Sequence, residues 1–219
     1  MSLVLSEPMA PLSAQVLATA RAMNASGINR GSAGNVSARN AEGDGFIITP
    51  TGMAYADCEA DDMVPVALDG TATGRRKPSS EWRFHRDIYA ARPDAGAIIH
   101  THSPFATSLA CMGAEIGPFH YMIARFGGKT VRCADYATFG SQALSDAVLP
   151  ALEARCACLM AHHGMLVFGA SLGKALDLAV ELETLCEQYW QVLQIGGPRL
   201  IDDEEMDRVL EKFRTYGQQ

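Results

Sequence analysis

Short β-prone runs alternate along this chain with segments whose apolar residues recur at helical spacing, and that alternation limits the fold more than any other feature. The β-prone runs fall at 36–39 and 45–49, separated by the hairpin signal Asn40-Ala-Glu-Gly-Asp44, then at 64–68, ending in the turn Asp69-Gly70. Others follow at 96–101, 130–133, 156–161 and 165–168. Leu12, Val16, Ala20 and Met23 mark an amphipathic helix that stops at Gly27, and Ser79-Ser80-Glu81 opens another through Trp82, Phe84 and Ile88 to Ala91. Further helices are expected over 104–111, 141–154 and 172–193, the last with Leu176, Ala179, Leu182, Leu185 and Tyr189 on its apolar face, and an acidic start at Asp202 opens a final one to Phe213. No repeat or long linker interrupts the pattern, so residues 1–219 read as a single layered α/β domain.

Composition narrows the function. With 25 acidic against 18 basic side chains the net charge is −7, which offers no source for the phosphate attraction that nucleic-acid binders use. No apolar run reaches the roughly 18 residues of a membrane span, and the N-terminus lacks a basic stretch followed by a hydrophobic one, so a soluble cytoplasmic protein with no membrane partner is expected. The six cysteines are scattered through a mid-sized chain and are read as reduced; Cys156 and Cys158 sit among small apolar residues and are expected in the core.

All six histidines lie between positions 85 and 163. His100 and His102 are two apart on a β-prone segment, which sends both rings to one face. His162 and His163 end another such segment, where adjacent side chains point oppositely and only one joins a given face. With Glu81 in the first turn of its helix, the set becomes three imidazoles and a carboxylate, which suits a tetrahedral zinc with one ligand able to swing off. His85 and His120 are read as packing or orienting neighbours. The turns Gly34-Asn35, Thr51-Gly52 and Ser79-Ser80 offer backbone N–H groups and hydroxyls to a phosphate. They are also ordinary turn formers and caps, and the residues alone leave both readings open.

A resemblance then adds to these readings. The segments Gly31-Ser-Ala-Gly-Asn-Val-Ser37, Ile48-Thr-Pro-Thr-Gly52, Pro78-Ser-Ser-Glu-Trp-Arg-Phe-His85, Arg92-Pro-Asp94, His100-Thr-His102, His120-Tyr-Met-Ile-Ala124, Tyr136-Ala-Thr-Phe-Gly140, His162-His-Gly164 and Glu211-Lys-Phe-Arg-Thr-Tyr-Gly217 resemble the class II aldolase/adducin family, collinearly over nearly the whole chain. Within it they are most similar to the aldolases of 1-phosphorylated ketoses such as L-fuculose 1-phosphate. The resemblance implies a three-layer α/β/α domain with a central, largely antiparallel sheet, in a homotetramer whose active sites lie between subunits. It implies Zn2+ held by His100, His102, His163 and Glu81, with Glu81 also the catalytic acid/base and Tyr121 a proton donor to the neighbouring subunit's site. Gly34, Asn35, Thr51, Gly52, Ser79 and Ser80 match phosphate-binding positions, and Phe139 and Tyr216 match positions bordering the aldehyde.

The activity so implied is reversible retro-aldol cleavage, through a metal-stabilised enediolate, to dihydroxyacetone phosphate and an aldehyde. Lys77, Lys129, Lys174 and Lys212 fit no apolar Schiff-base pocket by pattern. Thr101, Ser103-Pro104-Phe105, Ala161 and Arg125-Phe126 depart from the fuculose pattern, which leaves the aldehyde open. The alternatives are a ribulose-5-phosphate 4-epimerase or sugar-acid-phosphate decarboxylase of the same family, and a non-enzymatic scaffold like the adducin head, which predicts lost ligands.

Overall fold

A computed structural model describes residues 10–215. The element order is α1 (Leu12–Ala25), β1 (Asn35–Arg39), β2 (Gly45–Ile48), β3 (Val64–Ala67), α2 (Trp82–Ala91), β4 (Ala97–Thr101), α3 (Pro104–Cys111), β5 (Arg132–Ala134), α4 (Gln142–Ala151), β6 (Ala157–Met160), β7 (Gly164–Gly169), α5 (Leu172–Gln194) and α6 (Asp203–Thr215). Two short 3-10 segments, Ala60–Asp62 and Tyr121–Phe126, were not expected from the periodicity. The strands form one seven-stranded sheet in the order β3-β2-β1-β4-β7-β6-β5. Every neighbouring pair is antiparallel except β5 and β6.

The strand period of two divides the core between the two faces. Val36, Ala38, Ala97, Ile99, Met165 and Val167 pack with α1, α3 and α5 on one side. Ile98, Leu166, Phe168, Cys158 and Met160 pack with α2 and α4 on the other. The result is the three-layer α/β/α arrangement. Ile98 and Ile99 are each buried, so truncating either to Ala costs about 2–5 kcal/mol. All six cysteines are free thiols, and Cys158 is a fully buried filler of β6. Among the described residues, no helix is long and apolar enough to cross a membrane.

Two boundaries differ from the sequence reading in ways that matter. The helix α2 begins at Trp82, and Glu81 is its N-cap residue rather than part of its first turn. The helix α4 ends at Ala151, where Pro150 removes a donor and Ala154 turns back with φ 54°.

Candidate metal centre

Four side chains from three places in the chain meet at the end of the central strands β4 and β7. Glu81 caps α2, His100 lies on β4, His102 follows it, and His163 sits in the β6–β7 turn. One potential ligand atom from each lies within 4.8 Å of all the others. The three imidazole centroids form a nearly equilateral triangle of 4.8–4.9 Å sides, each pair edge-on. Glu81 Oε2 is 3.2 Å from His100 Nε2, and Oε1 is 3.0 Å from His163 Nε2. His100 Nδ1 is 2.8 Å from the Met165 carbonyl, which makes that nitrogen the donor and leaves Nε2 with its lone pair facing the cluster.

The electrostatics suit a cation. Burial disfavours the Glu81 carboxylate, but His100 and His163 beside it outweigh that and hold its pKa well below the usual range. Burial, with His100 and His163 nearby, pushes His102 down to about 4, so that its lone pair is available at neutral pH. Burial also works against charge on His100, yet Glu81 raises its pKa. Glu81 Oε1 is buried and makes no hydrogen bond, although His163 approaches it: the pair is close without being aligned. An orphaned carboxylate oxygen facing three ring nitrogens is a donor set that a zinc-like ion fits.

The surroundings fix this geometry. Asn35 Nδ2 donates to Glu81 Oε2 over 2.9 Å, and Asn35 Oδ1 is 2.6 Å from His85 Nε2. A Cβ on Gly34 would stand 2.3 Å from the His100 carbonyl oxygen, and one on Gly164 would stand 2.4 Å from that of Thr101 and 3.1 Å from the His102 ring. Both glycines are therefore required for the strands to close on the cluster. After His102, the Glu183 carboxylate of α5 accepts from Ser103 Oγ and from the N–H groups of Phe105 and Ala106, satisfying the start of α3.

A cleft of about 270 Å³ opens onto the cluster, lined by Ala33, Ser80, Glu81, His102, Tyr136, Ala137, Phe139, His162 and His163. The Thr51–Gly52 turn is held beside Ser79 and Ser80 by a bridge between Pro50 and Pro78, with Thr51 N–H donating to the Lys77 carbonyl and Ser79 N–H to the Thr49 carbonyl. Asn35 is buried and Gly34 N–H is taken by Asn29 Oδ1. Tyr121 is elsewhere: half exposed and stacked on Phe213, it lines a groove of about 1280 Å³ along α6. Tyr216 lies outside the described residues.

His162 and His163 divide as expected, though by a different route. They lie in a turn, not on a strand, and a left-handed φ of 55° at His162 exposes its ring at the cleft mouth, edge-on to Tyr136. Tyr136 and His162 were not singled out as site residues by the sequence, because an exposed aromatic and a turn histidine carry no periodic signal. His120 caps the segment Tyr121–Phe126, its Nδ1 accepting from Met122 N–H.

Comparison with known proteins agrees with this architecture. Residues 14–190 match the family model described as Class II Aldolase and Adducin N-terminal domain. The chain is 54% identical over 198 residues to a 5-methylthioribulose-1-phosphate/5-deoxyribulose-1-phosphate aldolase of Rhodospirillum rubrum, covering 90% of this chain and 89% of that protein. It is 44% identical over 207 residues to the L-fuculose phosphate aldolase of Escherichia coli K12, covering 94% and 95%. A solved L-fuculose 1-phosphate aldolase superposes with a TM-score of 0.90 at 34% identity, over 95% of this chain and all of that one.

Proposed function

The chain belongs to the class II aldolase and adducin family, and from that premise we propose that it is a zinc-dependent aldolase that reversibly cleaves a 1-phosphorylated ketose into dihydroxyacetone phosphate and an aldehyde. The observation that carries this reading is the cluster of Glu81, His100, His102 and His163, three imidazoles and an orphaned carboxylate oxygen with a cleft at its open side. A scaffold domain has no need of such a set. Zn2+ held there supplies Lewis-acid stabilisation of the charge that develops on the carbonyl oxygen as the carbon–carbon bond breaks.

The chain's own residues supply the rest. In the condensation direction the Glu81 carboxylate removes a proton from the hydroxymethyl carbon, and cleavage returns it. Tyr121 protonates the aldehyde oxygen in the site of a neighbouring subunit of a homotetramer. Its location along α6, away from the cleft, supports an action across a subunit boundary. The phosphate is held by the adjoining turns Thr51–Gly52 and Ser79–Ser80 and by the second amide hydrogen of Asn35, beside Gly34, whose own N–H is engaged by Asn29 Oδ1 and which serves by carrying no side chain there. Phe139 and Tyr216 border the aldehyde. The whole is read as a cytoplasmic enzyme of sugar-phosphate metabolism, acting as one domain.

Between aldehydes, the higher identity to the Rhodospirillum rubrum enzyme favours a methylthio or deoxy ketose phosphate over fuculose phosphate. A zinc-supplemented cleavage assay over 5-methylthioribulose 1-phosphate, 5-deoxyribulose 1-phosphate, L-fuculose 1-phosphate and ribulose 5-phosphate tests the proposal. Release of triose phosphate from at least one 1-phosphate is expected. Isomerisation of ribulose 5-phosphate without release would replace the aldolase by the epimerase.

A further inference from the structure

Behind Glu81, away from the cleft, buried polar groups run in single file. Helix α2 and its cap present Glu81, His85 and Tyr89 four residues apart, hence on one face, and β1 presents Asn35 and Ser37 two apart on the face toward α2. The two sets interleave. Tyr89 Oη is 2.8 Å from Ser37 Oγ, which is 2.7 Å from His85 Nδ1. His85 Nε2 is 2.6 Å from Asn35 Oδ1, and Asn35 Nδ2 is 2.9 Å from Glu81 Oε2. Ser37 and His85 are wholly inaccessible and Tyr89 and Asn35 nearly so, so each polar group depends on its neighbour in the file rather than on bulk water.

The charge at one end sets the direction of every bond. A carboxylate only accepts, so Asn35 must turn its NH2 toward Glu81, and its carbonyl then faces His85. That carbonyl needs a donor, so the proton of a neutral His85 is on Nε2. Nδ1 is left with a lone pair, which the Ser37 hydroxyl fills, and the Ser37 oxygen in turn accepts from Tyr89. Reversing the chain would set the amide oxygen of Asn35 against a carboxylate oxygen at 2.9 Å. Burial pushes His85 down to about 3, which keeps one donor and one acceptor on the ring across the physiological range.

We propose that this one-way chain makes His85 a positioning residue: acting through Asn35, it pins Glu81 Oε2 and reserves Oε1, which has no hydrogen bond, for a cation and, once released, for the proton of the reaction. The second role rests on the acid/base reading of Glu81, whereas the pinning does not. In that step the C–H bond of the substrate breaks, its electron pair stays with the substrate, and the proton joins Oε1. A proton on Oε2 would point at the Asn35 amide hydrogens, so the chain opposes it. In cleavage Oε1 gives the proton back.

The test begins without substrate. Long-range 15N–1H spectra of metal-free and zinc-loaded protein should show His85 as the neutral Nε2–H tautomer from pH 6 to 8. An Nδ1–H tautomer or an imidazolium would overturn the chain, whatever the enzyme's substrate proves to be. His85→Gln keeps an N–H where Nε2 stands and should bind zinc, measured by chelator competition, within about 3-fold of the wild type. His85→Phe should bind it roughly 10- to 100-fold more weakly, the usual cost of losing an outer partner of a ligand. If His85→Phe does not fold, Ser37→Ala, which leaves Glu81 and Asn35 in place, should weaken zinc in the same direction. Wild-type affinity in both His85→Phe and Ser37→Ala would refute the positioning role. With an active substrate, His85→Phe should lower kcat for exchange of the hydroxymethyl proton and spare KM. A loss in KM alone would point to phosphate binding through Asn35 and would remove Oε1 from its assigned place.

Discussion

Glu81 and Tyr121, the two residues proposed to move protons, occupy opposite settings. Glu81 is 5% exposed, at the junction of α2 with β1 and β4, and each carboxylate oxygen has a defined neighbour. Tyr121 is 50% exposed, on a 3-10 segment packed against α5 and α6, with its ring 6.4 Å from Phe213 and nearly parallel to it. The base is preorganised by the chain that carries it. The proposed acid is presented outward, and among the described residues none is seen to hydrogen-bond its hydroxyl and orient it toward the cluster. The difference teaches that folding one chain gathers the four residues of the candidate cation site, whereas the proposed role of Tyr121 would call on a second copy.

The comparison breaks most directly at the cluster. His163→Ala removes one of the three imidazoles and should strip zinc and cleavage together, lowering activity by more than roughly 100-fold, beyond the range for loss of an outer partner. Metal analysis and assay of the same sample check it, and a metal-free variant with full activity would dissolve the ligand assignment. Next comes the base itself. Glu81→Gln should lower proton exchange at the hydroxymethyl carbon by about 10²- to 10⁴-fold, the range for a general base. Tyr121→Phe should cut cleavage within the same range while leaving zinc bound. Mixing inactive Glu81→Gln and Tyr121→Phe subunits, then reassembling them, should restore part of the activity, because some sites then pair an intact base with an intact tyrosine. Failure to recover activity in verified mixed oligomers would return Tyr121 to its own chain.

The contrast also explains what was legible in the sequence. The strands and long helices were readable because their apolar periods are local, and the β4 and β7 runs reappear with core residues alternating between the two faces. The cluster was partly legible: His-x-His on a strand end is a local pattern, but the choice of His163 over His162 depends on a turn with positive φ that no spacing encodes. Helix α2 starts about two residues later than Ser79-Ser80 suggests, since these carry the usual helix-opening residues while the chain uses them to line a neighbouring turn. Tyr136, Asn29, Ser37 and Tyr89 left no signal, because a hydroxyl or amide becomes a supporting group only through a partner far off in sequence.

The buried side of the comparison carries a pH signature that the exposed side lacks. In the metal-free protein, burial, aided by the charge of His100 and opposed by Glu81, lowers His85 from 6.5 to about 3. Above 6.5 neither folded nor unfolded chain protonates it, and nothing is lost. Below 6.5 the unfolded chain binds a proton that folded His85 refuses, so stability falls by about 1.4 kcal/mol per pH unit as pH drops toward 3. His102, lowered to about 4, adds a slope of the same sign. Asp62 does not contribute between pH 7 and 5: hydrogen bonds from the Glu59 backbone and Arg76 hold it at about 2, and its share is lost only as pH falls through about 3.8 toward 2. Urea unfolding of metal-free wild type and His85→Gln at pH 7, 6 and 5 should give a shallower decline in the variant. Equal slopes would mean that folded His85 takes up a proton.

The smallest effect is expected at the cleft rim. Phe139 is 68% exposed, on a loop that Arg83 ties back by donating to the Gly140 carbonyl over 2.7 Å, with Ser80 packed behind Gly140. Phe139→Ala removes little buried area, so its stability should fall by less than about 0.5 kcal/mol. Zinc should be unaffected, since an apolar ring takes no part in the hydrogen bonds that hold the cluster. On the proposed reading the ring is an apolar wall bordering the aldehyde, and one apolar contact of this kind separates substrates by about 1–3 kcal/mol. The variant should therefore lose roughly 10-fold in kcat/KM for an aldehyde with an apolar tail and much less for a short polar one, where Tyr121→Phe lowers both alike. An unchanged ratio between the two aldehydes would move the specificity wall from Phe139 to Tyr136 and His162, the other rim side chains within the same cleft.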